Sequence, residues 1–230
     1  MRSFNNYGVR AWSDGYSTFS TLPARSPLVR CPNCPAVFWE EDVATLGEMP
    51  RKPYVQPAEG WLLRLLSRWG DDEHGHIRAQ KDWDAAPDEW KPACEDCSLE
   101  LSDLQVALKA VVDVNPAREL FVRRRIWWAC SDHYRIRIDR LRMSETLQLA
   151  ASAATSNMMR MLVLHGESEG PMGVERGELL RQLGRFDDAI SVLRCVDSDP
   201  YTNDTAAIIA AYAEQMVRTV MELRPEQVSY

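Results

Sequence analysis

Two Cys-x-x-Cys pairs, "CPNC" at residues 31–34 and "CEDC" at 94–97, constrain this chain more than any other feature. A C-x-x-C turn points two sulfurs at one ion, and two such turns complete the tetrahedron that zinc requires. The spacing therefore predicts a structural zinc site held by Cys31, Cys34, Cys94 and Cys97, with residues 35–93 as a 59-residue insertion. Structural zinc supplies folding free energy directly, which a small β module needs. A site built on the first pair alone, or completed by His74 or His76, is the alternative. A redox dithiol is disfavoured, because no βαβ pattern frames "CPNC" and neither pair has the basic surroundings that depress a thiol pKa. Cys130 and Cys195 stand alone at helical positions and read as small hydrophobes.

The cysteine chemistry depends on compartment. No apolar run approaches the roughly 18 residues needed to cross a bilayer. The stretch "MRSFNNYGVRAW" lacks the apolar core and cleavage site of a secretory signal. A cytoplasmic, reducing location follows, where close cysteine pairs read as metal sites rather than disulfides. The net charge of -7 disfavours non-specific attraction to nucleic acid or an anionic membrane.

Periodicity divides the rest. "VRAWSDGYSTFS" sets Asp14-Gly15 between two strand-like runs, which predicts a hairpin with a two-residue turn, both residues at positive φ. Trp61, Leu62, Leu65, Leu66 and Trp69 form a helical stripe. Residues 71–98 read as an acidic loop. A helix is predicted over 99–113, with Leu101, Leu104, Leu108 and Val111 on one face. Another starts at Asn115-Pro116, where Asn caps and Pro suits the first turn. Further helices are predicted at 144–164 (capped by Ser144), 174–183, 186–197 and 204–223. The expected architecture is mainly α, with a small N-terminal β module over 1–56 completed by 92–98. A helical middle region over 57–142 and helical hairpins over 143–230 follow it.

The first module resembles a zinc ribbon, in which "CPNC" matches the usual first knuckle. It departs in having Pro35 and Ser98 where a Gly commonly follows the second cysteine. "VERGELLRQLGRFDDAISVLRCVDSDP" resembles a tetratricopeptide repeat. Gly177, Leu180, Gly184, Phe186, Ala189, Leu193 and Val196 fall at that family's spacings, and Pro200 closes the unit. Gly177 and Ala189 would let two helices approach closely, Gly184 would supply the turn, and Phe186 would plug the pair. The resemblance implies a short helical array that binds a peptide or protein partner; plain bundle packing is the bland alternative. The order of "WSDGY", "CPNC", "RIWWACSDHYR" and "ELLRQLGRFDDA" also resembles a family of uncharacterised bacterial proteins with such a knuckle and such a helical region, which carries no known activity.

Residues 118–142 hold eight arginines against three acids, interleaved with Trp127, Trp128 and Tyr134. That pattern could grip phosphates and stack bases, so nucleic-acid binding is the rival function. Residues 71–103 hold eleven acids against three basic residues. The simplest expectation is that the two segments neutralise each other within the fold. His74 and His76 sit among carboxylates as candidate acid–base residues of a hydrolase, although a solvated loop suits them better. Ser131, Asp132 and His133 are consecutive and diverge on a helix, so they form no triad. No G-x-S-x-G, P-loop or H-E-x-x-H signature is present. The expected function is non-enzymatic protein–protein interaction with a structural zinc.

Overall fold

The computed structural model describes residues 10–18, 26–31, 34, 36–44, 73–88, 99–135, 151–166 and 171–223. The Trp61–Trp69 stripe, the Ser144 cap, Cys94, Cys97 and the end of the arginine segment from 136 onward lie outside these residues. Among the described residues the chain is mainly α-helical, with seven α-helices and five short antiparallel strands. It divides into two compact units, one comprising Met1–Arg25 with Leu104–Tyr230, the other Ser26–Asp103.

In the first unit, strand β1 (Arg10–Trp12) pairs antiparallel with β2 (Ser17–Thr18), Ala11 opposite Ser17. The turn is not the expected two-residue form. Trp12 N donates to Tyr16 O at 2.9 Å, so Ser13, Asp14 and Gly15 make a three-residue loop. Gly15 alone takes a positive φ, +76°. This is the bulged hairpin geometry that places a glycine in the left-handed region. Asp14 is thereby turned inward and buried. On its other side β1 pairs with β5 (Glu222–Leu223), near the far end of the chain, Ala11 opposite Leu223.

Helix α2 (Leu101–Val111) buries Leu101, Leu104, Ala107 and Val111, close to the predicted stripe, and straddles the division between the units. Helix α3 (Pro116–Arg135) begins where predicted: Asn115 Oδ1 accepts from Arg118 N at 3.1 Å and Pro116 occupies the first turn. Helices α4 (Ala151–His165), α5 (Pro171–Gln182), α6 (Phe186–Arg194) and α7 (Pro200–Glu214) follow. Two apolar clusters hold them. Leu180, Ala189, Leu193, Ala206, Ile209, Ala210 and Ala213 join α5, α6 and α7, while Trp127, Met161 and Leu179 join α3, α4 and α5.

The α5–α6 junction shows why these helices pair. A Cβ on Gly177 would lie 2.4 Å from Leu193 Cγ, so only glycine admits this approach. Gly184 takes φ +80°; Arg185 N donates to Leu180 O at 2.9 Å and Gly184 N to Arg181 O at 3.0 Å, a Schellman ending. Ala189 is fully buried and Phe186 packs against the same cluster. The last helix departs from its expected bounds of 204–223. Asp199 caps it, accepting from Thr202 N at 3.1 Å, so Pro200 opens this helix instead of closing the preceding unit. It stops at Glu214 because Met216 enters the left-handed region at φ +56°. Val220 is still buried, but in the segment leading to β5.

The second unit contains a hairpin, β3 (Leu28–Arg30) and β4 (Val37–Trp39), with Leu28 opposite Trp39 and both buried. Arg30 meets Asp103 at 3.4 Å. Helix α1 (Glu73–Ala85) occupies part of what was expected to be loop. Its sequence lacks an apolar face, so periodicity is silent there. Helix-favouring residues and an i,i+4 bond from Gln80 to Asp84 at 2.8 Å support it.

Candidate functional site

The predicted metal ligands come first. Cys31 and Cys34 sit together on the β3–β4 turn, where Cys31 N donates to Ala36 O at 2.8 Å. Cys34 is exposed and Cys31 partly buried. Two thiols on one tight hairpin turn fit half of a tetrahedral zinc site. The Cys31 N–H is spent on Ala36, and the sequence places at 35 a proline, which has no N–H. Cys94 and Cys97 lie outside the described residues. Among the described residues, no three His, Cys, Asp or Glu side chains gather closely enough to hold a metal. His74 and His76 lie on α1, a helix and not a loop.

The arginine segment is consumed internally over its described part. Arg124 makes two 2.7 Å bonds to Glu175. Arg123 Nε lies 2.8 Å from Glu119 Oε1, and Arg160 joins the same carboxylate at 2.9 Å. The hydrogen bond from Arg160, then that from Arg123, holds the Glu119 pKa down at about 2, against the opposing effect of burial. Partial burial pushes the Glu175 pKa up, but hydrogen bonds from His165 and Arg124 outweigh that and keep it below the ordinary value. The acids that meet Arg123, Arg124 and Arg135 are Glu119, Glu175, Asp14 and Asp132. The tryptophans are also committed. Trp127 is 3% exposed and donates to Gln182 Oε1 at 3.0 Å, while Trp128 donates to Asp14 O at 2.9 Å. Ser131 is buried and Asp132 pairs with Arg135 at 2.7 Å, so no triad forms.

A buried polar layer, which sequence reasoning did not find, fastens the hairpin to the helices. Ser13 Oγ donates to Glu178 Oε1 at 2.8 Å; Arg181 grips the same carboxylate at 2.6 and 2.7 Å. Arg181 also donates to the carbonyls of Val217 and Thr219. Arg135 reaches Asp14 and lies 4.2 Å from the Tyr16 ring centroid. Burial lifts the Asp14 pKa to about 6; Arg135 opposes that rise and Glu178 adds to it. The only advance signal was "WSDGY" itself, where a polar turn interrupts aromatic strands.

An apolar groove of about 380 Å³ lies open to solvent among the described residues. Met159, Leu162 and Val163 of α4 form one wall, Ser191 and Val192 of α6 the other, and Arg176 and Leu180 of α5 the floor. Met159 is 47% exposed and Val163 69%. On the rim, Arg185 and Asp188 pair at 2.7 Å. The geometry of α5 explains the layout. At about 100° per residue, Arg176 and Leu180 share one side, whereas Glu178, Arg181 and Gln182 lie across the helix on the side closed by the hairpin. Charge singles out one floor residue. In this unit Arg10, Arg123, Arg124, Arg135, Arg160, Arg181, Arg185 and Arg194 each meet a carboxylate. Arg125 and Arg218 lie over the Trp128 and Phe186 rings. Arg176, partly buried, has neither kind of partner among the described residues.

Among the described residues, no helix is long and apolar enough to cross a membrane. The chain matches no protein-family model, no curated protein and no solved structure.

Proposed function

We propose that this chain is a non-enzymatic partner-binding protein of a reducing, cytoplasmic compartment, whose tetratricopeptide-like helices present the α4–α6 groove. The observation that carries this reading is the groove itself. Methionine, leucine and valine side chains line it in continuity, and two of them, Met159 and Val163, are exposed side by side with the buried floor of the same groove. Exposed contiguous apolar surface rimmed by charge is what a partner covers. The Gly177–Leu193 approach and the Gly184 turn support the repeat-like packing. Nucleic-acid binding through residues 118–142 loses support, because the described arginines and tryptophans of that segment already have protein partners.

A photo-crosslinking residue placed at Val163 should trap one recurrent protein partner, and Ser191→Arg, which fills the groove, should abolish the adduct. The same residue at exposed Ala211 on α7 should trap nothing comparable. Identical adducts at both positions would remove the groove from the account.

The second part of the proposal is a structural zinc held by Cys31, Cys34, Cys94 and Cys97. Its support is the placement of the first pair on a hairpin turn. When bound, the ion would tie the two knuckles together and add folding free energy. Metal analysis of the purified full chain should find one zinc per molecule, lost in both Cys31→Ser and Cys94→Ser. A folded, metal-free wild-type chain would reject it.

A further inference from the structure

We infer that the groove takes an amphipathic helix from a partner protein, with a carboxylate beside its apolar stripe that pairs with Arg176. This rests on the groove being the partner site and adds the chemistry of what fills it. Shape comes first. The walls are two helices and the floor a third, so the trough suits a rod whose apolar side chains project to one side. The opposite side of α5 is closed by the chain's own hairpin and by the Val217–Met221 segment, which leaves this side for an outside ligand. Charge then narrows the ligand. Arg176 is a partly buried guanidinium beside apolar atoms with no counter-charge among the described residues. The neighbouring Asp188 is already matched by Arg185 at 2.7 Å and does not oppose an incoming acid. A guanidinium fork in such surroundings binds carboxylate in two-point geometry more strongly than a surface pair would.

The test uses the full chain and two short synthetic helices with the same leucine stripe, one flanked by glutamates and one by lysines. Titration followed by fluorescence anisotropy should show the glutamate helix binding about tenfold more tightly. Arg176→Gln should bring the ratio close to one, Arg176→Lys should keep part of it, and Val163→Asp should weaken both helices. Equal binding of the two helices to the wild-type chain, still weakened by Val163→Asp, would overturn the acidic preference and leave the groove standing. Binding indifferent to Val163→Asp, or no binding of either helix at millimolar peptide, would overturn both. Sedimentation of the chain alone supplies a further arm. A dimer dispersed by Val163→Asp would give the groove to a second copy and overturn the inference.

Discussion

Gly177 sets the distance between α5 and α6, and Leu193 fills the space a side chain would need. Gly177→Ala should therefore destabilise the helical unit by about 1 to 2 kcal/mol, overpacking exceeding the gain in helix propensity. Chemical denaturation monitored by circular dichroism measures this. Two buried carboxylates should give opposite pH signatures. The Glu119 pKa is depressed to about 2, so its contribution is complete above its ordinary value and is lost as pH falls toward 2. Glu119→Gln should cost on the order of 2 to 3 kcal/mol at neutral pH, after allowing for screening at Arg160, and flatten the acid limb. The Asp14 pKa is raised to about 6, so its effect has the other sign: its contribution is greatest below the unfolded value and falls away as pH rises through 6. Stability curves of the wild type and Asp14→Asn between pH 3 and 8 should differ in slope mainly between about pH 4 and 6. None of these environments is written in local sequence. Glu119 looks like one acid in a basic run, and only the fold shows that Arg160 reaches it.

At the level of elements, two helix ends were legible from residues that favour a capping conformation. Asn115-Pro116 announced α3, and Gly184 announced the α5–α6 turn. Asp199-Pro200 carries the same information, but the repeat pattern places Pro200 at an ending, whereas it opens α7. Its other end had no sequence marker, because Met216 adopts a conformation that glycine adopts more readily. Met216→Gly at this exposed site should raise stability by about 0.5 to 1 kcal/mol, read as a higher denaturation midpoint. Helix α1 was missed for a different reason. It has no apolar stripe, and periodicity detects only helices that bury one. The apolar residues of α4 spread over more than one side, so periodicity alone does not mark Met159 and Val163 as the ones left uncovered.

Across the whole molecule, the aromatic hairpin belongs with the helices and not with the cysteine knuckle beside it in sequence. Local pattern alone groups residues 1–56 into one module, because both segments look like strands. Strand character is local, whereas the partner of β1 is β5, and no short-range pattern reports that. Removing residues 1–18 should strip Ser13 from Glu178 and Arg181 and expose that buried pair. The helical unit should then melt at a markedly lower temperature by circular dichroism. Arg10 and Glu222, 212 positions apart, close the same seam with bonds of 2.6 and 2.7 Å. A ribosome adding about 5 to 20 residues per second would need roughly 10 to 40 s to cover that span. Throughout that interval the nascent hairpin has no third strand, and once α5 has been made Arg181 still awaits the carbonyls of Val217 and Thr219. The seam of this unit therefore closes only after residues 222 and 223 have been made, long after the hairpin that it joins.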